Sequence, residues 1–584
     1  MDNKPSLSQY FGDTAIPPAS QFFDEIGTSP SDMIQSVYLG DSEGAQTTAS
    51  DLFPQNMTTS YNHQKMSDEV TFSNVVPTVS GTTAVPATSL PDPSTFFDTI
   101  GPEPSIGTVK SGIASPNILT EAMDGLSVKN QPVDKEADRR RDAWIPNEEA
   151  KKTLIKAQSS PKGSFFPERE VLTMPGIVLE EELQDALQEV SVKYLGVSVA
   201  GARGVVRADH VTRDEAGLRE LLRTGYLRAA VNLTATLLNN AQQGVGRMHR
   251  PSKHTARTLQ MWLARFAVMQ RIKLLEPLLR EAEPFADFNK PDMYYQFYPD
   301  SYEGRAGSLV PFSLRLLVAE LPQHAGKPEE ALEGLYAMLR VIHEMLSNLR
   351  DGKTEDGTGT ITSEQDKLES LRLWTGRETR VWHSVVNCAI AMKDYRQAGK
   401  VLTALQREAT SASQRRALSS ALCRLWLLAG HVQSATASLE EARAERHHIC
   451  PTPDVREYVD LGLLDIAHGK YQDAYNNFAR AADQEPTNIM VANNLSVCLL
   501  YMGRLKEAIA VLQKAINSDP ERGLNESLLI NLCTLYELES SKTNEKKLNL
   551  LRMLCKYKSD TIPNVVDCLK LSGVRSDGMT AMTK

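Results

Sequence analysis

The sequence predicts an all-α protein in which a long solenoid of paired helices follows a disordered N-terminal region. Three observations support this prediction. The first 130 residues have a composition that cannot form a core, apolar residues beyond residue 210 recur with helical spacing, and part of that helical region repeats every 34 residues. A chain of 584 residues is long enough for several domains or for one such array.

The N-terminal region, residues 1–140, is acidic and rich in Ser, Thr and Pro. Its first 130 residues contain 33 Ser and Thr, 12 Pro, 15 Asp and Glu and four Lys, with no Arg, Trp or Cys. Burying so little apolar area cannot offset an ordering entropy of roughly 1–2 kcal/mol per residue. We expect a disordered tail, followed by a transitional, partly helical segment at residues 141–205.

A Phe-Phe-Asp-x-Ile-Gly motif occurs twice in this tail, as SQFFDEIG at 20–27 and STFFDTIG at 94–101. The candidate partner-binding residues are Phe22, Phe23, Asp24, Ile26, Phe96, Phe97, Asp98 and Ile100. Two copies on one flexible tether raise the effective concentration of a weak binding motif, so we interpret them as binding segments. Two alternatives remain: the copies are remnants of a duplication, or they dock back on the solenoid.

The clearest repeats are residues 455–488 and 489–522. In the first, the marked positions are Leu461, Gly462, Gly469, Tyr471, Ala474, Phe478, Ala481 and Pro486. Adding 34 to each gives Leu495, Ser496, Gly503, Leu505, Ala508, Leu512, Ala515 and Pro520. This is the tetratricopeptide signature: glycine closes the turn between two helices, alanine lies where the helices cross, and proline ends the second helix.

Weaker copies extend the array over residues 206–575, and we expect about six helix pairs in all. They lie at residues 422–442, 382–405 and 318–338, and residues 225–238 fit the second half of another copy with Ala230 at the crossing. The polar, glycine-rich run at 351–367 is predicted to be a surface loop. Each pair would bury its apolar side against its neighbours, which makes the fold an α-solenoid.

Charge and cysteine usage exclude several functional classes. Residues 131–584 hold 60 basic and 58 acidic residues, which argues against nucleic acid as a main ligand. The one tight basic cluster, Arg139 to Arg141, is predicted to be a solvated hinge. Seven cysteines without a CxxC pair indicate reduced thiols in a cytosolic protein, and neither a signal peptide nor a membrane-spanning stretch is predicted.

No arrangement of residues predicts catalysis, a cofactor or a metal. His447, His448 and Cys450 are interpreted as a polar inter-repeat loop, and His324 and His343 as surface or helix-end residues. Tetratricopeptide domains that bind chaperone C-termini carry Asn after the Leu-Gly of the first helix. The corresponding residues here are Leu463 and Val497, so we do not expect that carboxylate clamp.

Several segments closely resemble the family of tetratricopeptide-containing twelfth subunits of the TRAPP (trafficking protein particle) complex, a vesicle tether of the early secretory pathway. These are VANNLSVCLLYMGRLKEAI at 491–509, INLCTLYELESS at 530–541, PDMYYQFYPDSYEGRAGSLVPFSLR at 291–315 and LRELLRTGYLRAAVNLTATLL at 218–238. The Tyr-rich block from Tyr294 to Tyr302 is the most diagnostic, because generic repeat drift would not produce it.

The resemblance implies a non-catalytic scaffold subunit. Its partners would be other TRAPP subunits and, indirectly, Rab-family GTPases and vesicle-coat or membrane-trafficking proteins. It would support ER-to-Golgi transport and Golgi organisation from a cytoplasmic position peripheral to the ER-Golgi intermediate compartment and the Golgi. The alternative function is that of a free-standing tetratricopeptide co-chaperone or regulatory adaptor.

Overall fold

The structure is a computed structural model that describes residues 135–161, 164–201, 203–447, 452–540, 543–560 and 564–571. The two Phe-Phe-Asp-x-Ile-Gly motifs lie outside these residues. In the described ranges the chain is helical and forms no β-strand, apart from three isolated bridges such as the one between Ile177 and Val245. The prediction of an all-α array is confirmed.

Eight consecutive helix pairs make up the array within the described residues, whereas the sequence predicted about six. The first four pairs are α5 Glu215–Thr224 with α6 Leu227–Asn240, α7 Ala256–Arg271 with α8 Leu275–Ala282, α9 Phe312–His324 with α10 Pro328–Arg350, and α11 Glu364–Ala391 with α12 Tyr395–Glu408. The last four are α13 Ala412–Leu428 with α14 Val432–His447, α15 Val455–Ala467 with α16 Tyr471–Gln484, α17 Ile489–Tyr501 with α18 Leu505–Ser518, and α20 Glu526–Glu539 with α21 Asn544–Tyr557.

Shorter helices lie before, within and after the array. The helices that precede it are α1 Lys135–Asp142, α2 Glu148–Ser159, α3 Ala186–Leu195 and α4 Val197–Ala200. The last two are α19 Pro520–Gly523, between the seventh and eighth pairs, and α22 Val565–Cys568. The Tyr-rich block forms two 3₁₀ turns, Pro291–Met293 and Tyr295–Phe297, that link the second pair to the third.

Six of the eight pairs share one turn geometry. In each, three residues separate the two helices, and the middle residue has a positive φ between 58° and 77°: Lys273, Gly326, Lys393, Gly430, Gly469 and Gly503. The amide after this residue donates to a carbonyl five residues earlier, as Lys470 N does to Asp465 O at 2.9 Å. This left-handed C-cap satisfies carbonyls that the ending helix would leave open.

The residue five positions after the turn centre lies where the two helices cross. It is a fully buried alanine in five of these six pairs: Ala331, Ala398, Ala435, Ala474 and Ala508. In the pair α7–α8 the same position is Leu278, and Ala282 lies four residues later where the other pairs have Leu or Phe. Large and small residues have thus exchanged places in this pair, which explains why the sequence pattern missed it.

The two helices of a pair are buried to different extents. In several pairs the first helix is buried nearly all round: eleven of the 16 residues of α7, ten of the 13 of α15 and ten of the 13 of α17. The second helices are amphipathic, with three of the 14 residues of α16 buried and four of the 14 of α18. The exposed surface of the array therefore comes mainly from the second helices and the turns.

The arginine cluster before the array is not the solvated hinge that the sequence predicted. Arg140 is 3 % exposed and forms ion pairs with Asp366 at 3.0 Å and Glu369 at 2.8 Å. Arg139 pairs with Glu355, itself buried within the predicted surface loop at 351–367. The cluster therefore attaches α1 to α11 and to the loop that precedes α11, and part of that loop is core.

The C-terminal helices pack against the segment that precedes the array. Leu187 and Tyr194 of α3 belong to the same buried apolar cluster as Leu551 and Leu554 of α21. Arg203 pairs with Asp185 and donates to the carbonyl of Lys558 at 2.6 Å. These contacts join the segment that precedes the array to its last helix pair.

The carboxylate of Asp560 is the most buried polar link between the two ends. It accepts from the backbone N–H groups of Leu227 and Arg228, at 2.7 and 3.0 Å, and so caps the N-terminus of α6. Burial raises the pKa of Asp560 to about 6, against the opposing effect of these two hydrogen bonds. The ends of the array are therefore held by a buried carboxyl group that resists ionisation.

Candidate functional site

The first glycine of the tetratricopeptide signature packs against an aromatic ring. A Cβ added at Gly462 would lie 2.6 Å from one ring atom of Phe478 and 2.8 Å from two others. Phe478 is fully buried, and so are Ala474 and Ala481 one turn to either side of it on α16. The structure therefore places these four residues together, with only backbone of α15 facing the ring of Phe478.

The turn glycines of the two clearest repeats are exposed, and the stacking residue Tyr471 is half-buried. Gly469 and Gly503 are the left-handed residues of their turns, and a Cβ at either would meet no atom within 4 Å. Tyr471 stacks on Tyr501 of the next pair, with ring centroids 4.7 Å apart and planes 4° from parallel. The conformation of the turn, rather than space, is thus what favours glycine at its centre.

The remaining signature residues occupy helix ends and interiors. Pro486 is exposed two residues after α16 ends, whereas Pro520 is the first residue of α19. Leu495 is buried, Leu461 and Ala515 are half-buried, and Ala508 is fully buried.

The positions of the chaperone-type clamp are occupied by core residues. Leu463 and Val497, which stand where that clamp has a side chain facing the ligand, are 6 % and 1 % exposed. Both belong to first helices that are buried nearly all round. Neither side chain is accessible to a peptide carboxylate.

Buried ion pairs join the fifth helix pair to the sixth. Arg424 on α13 and Asp460 on α15 are each at most 1 % exposed and lie 2.7 Å apart, and Ser420 also donates to Asp460 at 2.5 Å. Glu457 on α15 pairs with Arg446 at 2.5 Å and Arg443 at 2.9 Å, both on α14. These groups neutralise one another within the fold, so we interpret them as structural ion pairs that hold the fifth and sixth helix pairs together.

The histidines and cysteines that the sequence singled out do not form a site within the described residues. His343 pairs with Glu378 at 2.7 Å on the surface, and His324 contacts Gln270 at 2.9 Å. His448 and Cys450 lie outside the described residues. No group of three or more His, Cys, Asp or Glu side chains suited to a metal ion occurs in the described ranges.

Most cysteines of the array within the described residues are buried thiols, whereas Cys555 is half-buried. Burial raises the pKa of Cys498 and Cys533 to about 12, so both remain protonated and weakly nucleophilic near neutral pH.

Aromatic side chains on the outer surface were missed by the sequence analysis. Tyr336 on α10 is 40 % exposed and meets Trp382 on α11 edge to face, with ring centroids 6.2 Å apart. Trp382 was noticed only as a repeat position. The available signal was the length of α10 and α11, which exceed a standard repeat helix and extend this outer face.

None of the described helices is both long enough and apolar enough to span a bilayer.

Comparisons with known proteins agree with the helical array. The tetratricopeptide repeat family model matches residues 465–525. Trafficking protein particle complex subunit 12 of Mus musculus is 34% identical over 439 residues, which is 75% of this chain and 54% of that protein. The Homo sapiens protein of the same name is 34% identical over 438 residues, 75% of this chain and 59% of its own length. The chain therefore spans between half and three fifths of the relatives that it matches.

Proposed function

Because this chain is a tetratricopeptide-repeat protein related over three quarters of its length to subunit 12 of the trafficking protein particle complex, we propose that it is a non-catalytic scaffold subunit of such a complex. The sustained identity over 439 residues is the observation that carries the proposal, because it extends far beyond residues 465–525, which the repeat family model matches. The chain would contact other subunits of the complex through its helical array.

The geometry of the array supports a structural role. Mostly buried helices such as α7 and α15, the buried ion pair between the fifth and sixth pairs and the contact of Asp560 with the first pair make a stiff body. A stiff body can hold several partners in fixed relative positions without reorganising when they bind. The exposed second helices and turns provide the surface for such contacts.

The wider role follows from the family that the chain resembles. We place it, as part of this proposal, in ER-to-Golgi transport and Golgi organisation, on the cytoplasmic side of the ER-Golgi intermediate compartment and Golgi. Rab-family GTPases and coat proteins would be indirect partners, reached through the other subunits. The Phe-Phe-Asp-x-Ile-Gly segments would supply additional binding sites.

Affinity isolation from cells tests the proposal. The tagged chain should bring down other trafficking protein particle subunits, identified by mass spectrometry. Gly462→Trp, which drives a large side chain into Phe478, should abolish their recovery, whereas Gly334→Ala should not, because a Cβ at Gly334 makes only an ordinary 3.5 Å contact with the Ala319 Cβ.

Two outcomes would contradict the proposal. Recovery of chaperones in place of complex subunits would favour the co-chaperone function. Full recovery of subunits by Gly462→Trp, with the array shown to be disrupted by loss of helical circular dichroism, would assign binding to the tail instead of the array.

A further inference from the structure

Positive charge is concentrated in the first two helix pairs. Residues 203–280 contain 14 Lys and Arg and five Asp and Glu, a net charge of +9. Residues 1–130 contain four basic and 15 acidic residues, a net charge of −11. Two blocks of opposite charge therefore lie on one chain, and its other residues together carry a net charge of −7.

Much of this positive charge is exposed on α5 and α7 and on the segments that lead into them. Arg257, the second residue of α7, pairs with Glu215, the first residue of α5, so the two helix starts lie side by side. Six exposed basic residues on these two helices and the segments leading into them are named the basic edge: Arg207, Arg213, Arg223, Arg250, Lys253 and Arg257.

The carboxylates at this edge are mostly engaged locally. Asp214 caps α5 by accepting from the N–H of Gly217 at 2.9 Å, and it also accepts from the hydroxyl of Thr212 at 2.7 Å. Glu215 is occupied by Arg257. Asp209 is the third carboxylate of residues 203–215. With Glu220, which is exposed on α5, residues 203–257 carry four carboxylates against ten Lys and Arg, so this part of the chain keeps an excess of positive charge.

Side-chain contacts link the last residue of α1 to this edge. Asp142, the last residue of α1, accepts from the hydroxyl of Tyr295 at 3.0 Å, and the ring of Tyr295 packs on that of Tyr302 at 4.9 Å. The adjacent Ser301 accepts from the ammonium of Lys253 at 2.5 Å. Three contacts thus connect the end of α1 to a member of the basic edge.

We propose that the acidic tail of this chain lies on its own basic edge, with residues 92–124 as the main contact. This segment carries five carboxylates, Asp92, Asp98, Glu103, Glu121 and Asp124, against the single Lys110, and it contains the second Phe-Phe-Asp-x-Ile-Gly copy.

Chain length permits the contact. By the scaling for random-coil linkers, a linker as long as the 33 residues between Gly101 and Lys135 spans roughly 30–35 Å, and tethering at this length gives an effective concentration on the order of millimolar. Weak, salt-sensitive attraction between opposite charges is then sufficient to keep the tail on the edge.

Zero-length carbodiimide coupling of the purified full-length chain tests this proposal. The reagent joins a lysine amine to a carboxylate that is in direct contact with it, so Lys253 reports on the basic edge. The substitution Arg250→Lys adds a second reactive amine without changing the charge of the edge. Lys506, exposed on α18, is the matched control lysine. Peptide mapping should recover cross-links from residues 253 and 250 to residues 92–124 in 50 mM salt, with about tenfold less in 500 mM salt.

A charge-reversed variant provides the second arm. The triple substitution R213E, R223E, R250E should lower the yield of Lys253 cross-links to the tail about tenfold at low salt, while the array keeps its helical circular dichroism. Absence of these cross-links in the unmodified chain, or an equal yield from Lys506, would overturn the proposal.

The same experiment separates the other occupants. Coupling a mixture of ¹⁴N- and ¹⁵N-labelled chains should give cross-links within one isotope only, whereas mixed pairs would assign the edge to the tail of a second copy. A third occupant is an anionic membrane. The basic edge would be assigned to it if the chain floats with vesicles of phosphatidylcholine and phosphatidylserine, if R213E, R223E, R250E abolishes that flotation, and if no tail cross-links form. Either result would contradict the intramolecular contact.

Discussion

Substituting alanine for Gly462 should destabilise the sixth helix pair, although alanine is the better helix former. The new Cβ would lie 2.6–2.8 Å from three ring atoms of Phe478, and Phe478 is fully buried between Ala474 and Ala481. Overpacking of this kind costs about 1–3 kcal/mol, against a gain of about 0.5–1 kcal/mol from higher helix propensity. We expect a net loss of about 1–2 kcal/mol.

The next pair of the array suggests how the clash is relieved. At the positions that correspond to Gly462 and Phe478 it has Ser496 and Leu512, a larger residue facing a smaller one. Phe478→Leu alone should cost about 1–2 kcal/mol because it leaves space in the core. Combined with Gly462→Ala it should cost less than the sum of the two changes by about 1 kcal/mol.

Gly334→Ala is the matched control, because its Cβ would make an ordinary 3.5 Å contact with the Ala319 Cβ in the interior of α10. It should stabilise the protein by about 0.5–1 kcal/mol. A repeat array does not always unfold in one step, so the local stability of α15 and α16 is measured by hydrogen exchange of their amides, together with urea unfolding of the whole chain. Stabilisation by Gly462→Ala, or strict additivity with Phe478→Leu, would refute the packing argument.

Three further predictions concern the turns, the joined ends and the buried ion pair. Lys393→Gly should raise the free energy of unfolding by about 1 kcal/mol and Gly503→Ala should lower it by about as much, because both residues have a positive φ. Shifts of the same sign in the midpoint of thermal unfolding would contradict this. Burial raises the pKa of Asp560 to about 6, so its protonated form stabilises the fold and this stability is lost as pH rises through that value. Between pH 4 and 7 the free energy of unfolding of the unmodified protein should therefore fall by about 2–3 kcal/mol relative to that of Asp560→Asn. Parallel pH profiles of the two proteins in urea unfolding would contradict this. Arg424→Ala should lower the free energy of unfolding by about 3–5 kcal/mol, because it leaves Asp460 buried without its main counter-charge. The double change Arg424→Met with Asp460→Leu should lower it far less in the same urea assay. Equal losses in the two variants would contradict the importance of the ion pair.

Sequence patterns predicted those parts of the fold that depend on residues close together in the chain. The repeats at 455–522 were visible because Gly469, Ala474 and their counterparts are set by a turn and a crossing within one pair. The pair α7–α8 was missed because Lys273 adopts the left-handed conformation without glycine and because Leu278 and Ala282 reverse the usual order of sizes. Its geometry is shared with the other pairs, but its residue types are not.

Long-range features were not accessible to sequence reasoning. Arg140 reads as a surface residue among charged neighbours, yet its ion-pair partner Asp366 lies 226 positions away. The capping of α6 by Asp560 spans 333 residues, and no periodicity connects the two. Charge counted over the whole body likewise concealed the excess of Lys and Arg in residues 203–280, because acidic residues elsewhere balance it.

The native mass of the particle that contains this chain tests the central claim most directly. Size-exclusion chromatography and mass photometry of the endogenous protein should place it in a particle far heavier than its own 64.6 kDa, together with other trafficking protein particle subunits. A particle of about 65 kDa, or one that contains only a chaperone in addition, would contradict the role of a scaffold subunit.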